Sequence, residues 1–490
     1  MEKQSFKQRS PRRRDSNINQ SFKQRSPLAY GAIVLTVFTL LCRFLGLAFR
    51  MYMTARIGSE GVGLYQLIMS VYTLFATLST AGFTVAVSRL AAEQIAKAEG
   101  DEAAAQAAAR RVFFIASAIA LAISSVLMIV MALSAAPIAE LLLKDARITL
   151  PLKVLAITMP FIALSSCLKG YFLAIRRMWT NASAMLFEQV IKIAVIMLFI
   201  GVKFKYSNDI GSLCMGVVGG TTLGEAASYL YLFIIYYFTK RKNKSKTQKP
   251  HIEKPIKTVL GVTLPIAASS YVTNFLHTGE NIIIPMGFVS HGSDYSKALS
   301  DFGIIRGMAI PALFFPFAFL SSLVSVLIPE ISRVNAIDKE ATKNRILRVL
   351  RLSFVFSIIS GAIFFFFPKE ISYLFYRTDE AAHAIRLLAT VTPLMYIETI
   401  CDGMLKGIGH QTATLRYNIY NSVLRILSVM LVIPRFGVEG YLYVLIVSNT
   451  FSFLLMFYKL RKESGIAGDK KALRLLPALA LIFAVLSIIL

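Results

Sequence analysis

Windows of roughly 20 apolar residues recur along this chain, each long enough to cross a bilayer core of about 30 Å. Thirteen are read, at 30–54, 62–87, 112–136, 151–175, 181–202, 212–239, 258–286, 304–329, 349–368, 383–405, 412–433, 438–458 and 472–490. Hydrocarbon offers a backbone no hydrogen-bond partners, so such segments must satisfy their amides internally, as helices. The predicted fold is all-α and polytopic. A mean hydropathy of +0.62 with only 16% charged residues excludes a soluble globule of 490 residues. The thirteenth window ends at Leu490 without a polar flank, as a span cut short before a fourteenth would.

Loop charge sets the expected orientation. With the N-terminus in the cytoplasm, the tail and the loops on its side carry thirty-six Lys and Arg against ten on the other. The net charge of +26 therefore reports topology and does not call for nucleic acid. The first 27 residues hold SFKQRSP twice, at Ser5–Pro11 and Ser21–Pro27, and show no cleavable leader. They read as a disordered basic tail, and the run Lys240–Lys257 reads as a cytoplasmic linker; lipid contact is the alternative for both. All four cysteines fall inside spans, and the five histidines lack metal-ligand spacing, so neither a disulfide framework nor a metal site is expected.

The basic linker separates six spans from six, and the halves echo each other. Gly170–Ile200 and Gly403–Ile433 align without a gap at an offset of 233, and Lys192 falls on Arg425. Ser88–Arg89 and Ser332–Arg333 form a weaker echo. An even number of spans separates the copies, so both enter the membrane in the same sense. Two six-helix lobes related by a parallel repeat, with a cleft between them, are the expected architecture. The expected parts are a tail at 1–27, an N-lobe at 28–240, a linker at 241–257, a C-lobe at 258–460 and an extra span at 471–490.

Seven cations are read as lying within the membrane: Arg43, Arg50, Lys169, Lys192, Arg306, Arg386 and Arg425, while Lys153, Arg351, Arg416 and Arg474 at window edges are counted with the loops. A charge in hydrocarbon costs on the order of 3 kcal/mol or more, so each needs a cavity or a partner. Arg43 and Arg50 are two helical turns apart and share a face of span 1, with Gly46 between them. Lys192 and Arg425 sit mid-span, and Arg306 opens span 8. These five are the candidate anion ligands, and Arg suits a phosphate with its forked donors. Lys169 and Arg386 lie near span ends and can snorkel. The alternative is internal neutralisation by Glu188, Glu225, Glu280, Glu398 and Asp402, with Glu188 spaced to pair with Lys192. Glu280 is the first candidate for a coupling-ion site, followed by Glu188 and Asp402.

No loop is long enough to build a core of its own, and no phosphate-binding Walker A sequence is present. Vectorial transport fits better than catalysis, and no cofactor is implied. Arg43-Phe-Leu-Gly46, Gly61-Val-Gly-Leu-Tyr-Gln66, Ser88-Arg89, Glu188-Gln189 and Pro329-Glu-Ile-Ser332 resemble the multidrug/oligosaccharidyl-lipid/polysaccharide (MOP) exporter superfamily. The branch they resemble is the stage V sporulation protein B type, related to lipid II flippases. The resemblance covers about 28–490 and implies two six-helix lobes followed by one or two extra helices. It also implies a bacterial plasma-membrane flippase for an undecaprenyl-pyrophosphate-linked glycan of the cell wall or spore cortex. Membrane lipids and cell-wall synthesis proteins are the partners it suggests. It places cavity arginines at Arg43, Arg50 and Arg306; where the family often has aspartate in span 7, this chain has Glu280. Export of a capsule or exopolysaccharide intermediate, drug/cation antiport and a membrane-embedded enzyme are the competing readings.

Overall fold

The computed structural model describes residues 12–97, 102–203, 209–242, 255–321, 331, 334–335 and 338–466. Its elements are helical throughout. In chain order they are α1 (Arg12–Thr80), α2 (Phe83–Lys97), α3 (Glu102–Pro137), α4 (Thr149–Ala156), α5 (Thr158–Ala174), α6 (Met178–Leu198), α7 (Ile210–Lys242) and α8 (Pro255–Ser290). There follow α9 (Tyr295–Phe302), a π turn (Gly303–Ala309), α10 (Ile310–Phe314), α11 (Lys339–Phe366), α12 (Pro368–Tyr376), α13 (Ala382–Ala389), α14 (Thr392–Gly407) and α15 (Gln411–Glu463).

Among the described residues six helices are long and apolar enough to cross a membrane, or eight when two bent pairs each count as one span. Part of the difference from thirteen has a local cause. Helices α1 and α15 each run through two of the expected windows and kink at a glycine with positive φ, Gly58 (67°) and Gly437 (57°). Only a residue without Cβ takes that conformation cheaply. The thirteenth window and the Ser332–Arg333 echo lie outside the described residues, as does most of the basic linker.

The bent pairs carry the repeat further than the aligned stretch did. Helices α4 and α5 meet at 42°, and α13 and α14 at 62°. Pro160 and Pro393 stand at the 233-residue offset, and each lacks the N–H that would bond the carbonyl four residues back. Those carbonyls belong to Ala156 and Ala389, the last residues of α4 and α13. The packing order repeats as well: α1 lies on α6 and α3 on α5, while α8 lies on α15 and α11 on α14.

The halves meet along α8 and the second segment of α1. There Tyr271 donates to the Leu78 carbonyl (3.2 Å), Thr278 to the Ser70 carbonyl (3.0 Å) and Asn281 to Ser70 Oγ (2.9 Å). At the end away from the basic loops the contact becomes backbone on backbone. A Cβ built on Gly63 would fall 2.0 Å from the Leu299 oxygen, and one on Gly303 would fall 2.1 Å from the Ser59 oxygen. Around this glycine seam Ser300 bonds Ser59 (2.7 Å), Ser296 bonds Glu60 (2.5 Å) and Tyr295 bonds the Leu143 carbonyl (3.0 Å). Arg147 ties the same corner by reaching Glu60 at 3.0 Å and Asp145 at 2.8 Å. Its hydrogen bond to Asp145 holds the guanidinium still more firmly protonated, against the opposing effect of burial.

Candidate functional site

Two clusters of charge lie inside the bundle. The first is built on Glu280 of α8, whose side chain is 1% exposed. Burial of a lone carboxylate would be prohibitive, and two guanidiniums face it. Arg306, on the π turn, donates from Nη2 to Glu280 Oε1. Arg425, on α15, brings Nη1 to 3.7 Å from the same oxygen. Arg425 also donates from Nε to Ser448 (3.0 Å) and from Nη2 to Asn449 Oδ1 (3.3 Å). The Tyr441 ring lies 5.9 Å from the Arg306 guanidinium, and half-exposed His277 brings Nδ1 to 3.7 Å from Glu280 Oε2. Two fixed cations thus share one acid, and Arg306 Nε is buried without a partner.

The π segment also meets the first half, where Arg50 of α1 donates to the Gly307 carbonyl at 3.3 Å. Arg50 has no carboxylate within ion-pair distance among the described residues, so its charge is held by a dipole across the junction of the halves.

The second cluster balances itself. Lys169 of α5 lies 3.7 Å from Glu188 of α6, and Glu225 of α7 is flanked by Glu188, Lys169 and Lys192. The expected Glu188–Lys192 helical pair is not formed. Gly220 and Gly224, four apart, let α7 press onto α6 so closely that a Cβ on Gly224 would fall 2.9 Å from Lys192 Cβ. The Lys192 ammonium lies over the Phe49 ring at 6.0 Å. Lys192 lies in the first half near Glu225, and Arg425 lies in the second half beside Glu280.

The other candidates divide in the same way. Asp402 takes Lys406 at 2.5 Å, and Glu398 accepts from Ser452 at 2.5 Å. The three proposed coupling acids, Glu280, Glu188 and Asp402, all have a cation beside them. Arg43 differs: it is exposed and makes no ion pair among the described residues. Its neighbours place it in the gap between halves. Phe44 packs edge-on against Phe315 and Phe319, with centroids 5.2 and 5.9 Å away, and a Cβ on Gly46 would touch Gln189 of α6. Among the described residues no group of His, Cys, Asp and Glu could hold a metal ion. Sequence reasoning missed Tyr441, Ser448 and Asn449, which are ordinary span residues until the fold brings Ser448 and Asn449 onto Arg425 and Tyr441 beside Arg306.

Arg43 and Arg50 thus carry charge that no carboxylate among the described residues pairs, whereas Arg306 and Arg425 share Glu280. Known proteins bear on this geometry. Residues 270–431 match the MatE family model. Stage V sporulation protein B of Bacillus subtilis (strain 168) is 27% identical over 84% of this chain and 79% of its own. Lipid II flippase MurJ of the same organism is 21% identical over 89% of this chain and 83% of its own. Among solved structures, an inward-facing multidrug resistance MATE family transporter of the MOP superfamily superimposes with a TM-score of 0.64 at 17% identity. The match covers 90% of this chain and 99% of that one, and establishes the fold. The model for polysaccharide biosynthesis proteins matches residues 28–335, well over half of the length, and with the same bundle architecture around it the chain belongs to that family.

Proposed function

We propose that this protein is a transporter, not an enzyme, that moves a lipid-diphosphate-linked glycan between bilayer leaflets by alternating access. The observation that carries the reading is Arg43, an exposed arginine in the gap between halves, with no carboxylate among the described residues to neutralise it, close to a second arginine held only by a carbonyl. An unneutralised cation pair inside an apolar bundle suits a ligand that brings its own negative charge and an apolar tail. Relatives named for sporulation and for lipid II flipping favour a cell-wall or spore-cortex precursor on an undecaprenyl carrier.

In this reading residues 28–240 and 258–460 are the two moving lobes, the basic segment 241–257 tethers them, and residues 1–27 form a cytoplasmic tail. The excess of Lys and Arg supports a cytoplasmic basic end, and the bacterial relatives favour the plasma membrane. The glycine seam then closes the outer side while the lipid headgroup enters from within. The test is reconstitution into proteoliposomes with undecaprenyl-diphosphate-linked glycans and an assay for headgroup at the far leaflet. Flipping at the rate of empty liposomes, for every glycan tried, would overturn the proposal.

A further inference from the structure

Helix α8 carries a polar stripe toward Glu280. Ser270, Thr273, Asn274, His277 and Glu280 are linked by three- and four-residue spacings (270 to 273 and 274, both of these to 277, and 277 to 280), so they share one broad face. Helix α15 carries a matching one, in which Gln411, Thr414, Asn418 and Arg425 lie at three, four and seven residues. The two helices pack together, and Glu280 of one meets Arg425 of the other. Toward the basic end they line an open cavity of about 700 Å³ with Ser270, Thr273, Asn274, Gln411, Thr414 and Asn418. No carboxylate lines it among the described residues. Its one cation among them, Lys406, is already paired with Asp402.

Bilayer-facing helices do not gather hydroxyls and amides without cause, because each polar group in an apolar setting costs free energy unless it is paired. Thr273 and Asn274 do donate to carbonyls on their own helix, at 2.9 Å each, which leaves their oxygen lone pairs facing outward. Side-chain oxygens and amides without net charge, interleaved with Pro265, Ile266 and Leu415, match a ligand with many hydroxyls and short C–H faces. They do not match a cation, which would want carboxylates, or a diphosphate, which would want arginines.

We infer that this cavity binds the sugar of the transported lipid, while the diphosphate lies toward Arg306 and Arg43. The inference rests on the transport reading above. The spacing agrees with it: Asn274 precedes Glu280 by six residues, about 9 Å along a helix axis, comparable with a diphosphate followed by one sugar ring.

The experiment measures binding of undecaprenyl diphosphate and of undecaprenyl-diphosphate-linked N-acetylhexosamine to purified wild type, to Asn274→Ala/Asn418→Ala and to Thr412→Trp. The tryptophan fills the cavity from its exposed rim, and it serves if the double variant does not fold. Wild type is expected to bind the glycosylated lipid roughly tenfold more tightly, the size of one or two neutral hydrogen bonds. Either variant should remove that preference and leave undecaprenyl diphosphate binding unchanged. Equal affinity of wild type for both lipids, or a preference that survives in a folded variant, overturns the sugar site alone. Failure of wild type to bind either lipid overturns the transport reading itself.

Discussion

Gly303→Ala tests how the halves close. In the structure a methyl at this position would lie 2.1 Å from the Ser59 oxygen and 2.6 Å from the Gly63 nitrogen, where ordinary contact begins at 3.4 Å. Both obstacles are backbone, so no rotamer relieves them. The helices must part by more than 1 Å, which breaks the Ser300–Ser59 bond at 2.7 Å and stretches Ser296–Glu60 at 2.5 Å. A neutral hydrogen bond contributes about 1 kcal/mol and one to a carboxylate about 1.5–3 kcal/mol, so the closed arrangement loses about 2–4 kcal/mol. Every 1.4 kcal/mol is tenfold in population, and the closed form falls by about 30- to 1,000-fold relative to any state in which the seam is apart. The assay is oxidative crosslinking of Ser59→Cys with Ser300→Cys in a background with the native cysteines replaced. This pair removes the Ser300–Ser59 bond itself, so the assay reads the Ser296–Glu60 loss of about 1.5–3 kcal/mol. Disulfide formation should be fast when Gly303 is kept and at least tenfold slower when Gly303→Ala is added, in protein of equal abundance and unchanged size-exclusion profile. Equal crosslinking rates would show that the seam yields without cost and would refute the reasoning.

Three further outcomes are expected. Arg43→Ala should abolish transport without loss of abundance or thermal stability, because the side chain is exposed and makes no ion pair among the described residues, while Arg43→Lys keeps part of the activity; full transport by the alanine variant would remove Arg43 from the site. Glu280→Gln leaves Arg306 and Arg425 without their shared acid and should destabilise the fold by about 3–5 kcal/mol, read as a large drop in melting temperature in detergent. Neutralising half of the eight basic residues in Lys240–Lys257 should leave orientation unchanged, since the remaining loops on that side keep a large excess, as labelling of reporter cysteines would show.

Much of the fold was legible in the chain, because a bilayer makes hydrophobicity periodic on the scale of whole helices. The windows located the helices, and the mid-span cation at Lys192 and Arg425 revealed the repeat. Pro160 and Pro393 carry the same repeat in plain sight, yet their meaning emerges only when α4 and α13 are seen to end four residues before them. The count of spans differed where Gly58 and Gly437 turn the chain within unbroken helices, since a glycine does not announce its φ.

The site was legible as an inventory and not as a pairing. Sequence spacing joined Glu188 to Lys192, whereas the fold gives Glu188 to Lys169, because Gly220 and Gly224 bring α7 against α6 and fix where Lys192 can reach. Alignment paired Lys192 with Arg425, and the fold gives each a different set of neighbouring acids. The sequence by itself determined that this protein lives in a membrane as an all-helical bundle with more cations than its buried acids can neutralise. Those are properties of composition and period, which no rearrangement of helices alters. Only the tertiary structure decided which cations are spent on Glu280, Glu188 and Asp402 and which, like Arg43, are left for a ligand. In a low-dielectric interior a charge is settled by whatever stands within about 4 Å of it, and across helices that distance is set by packing.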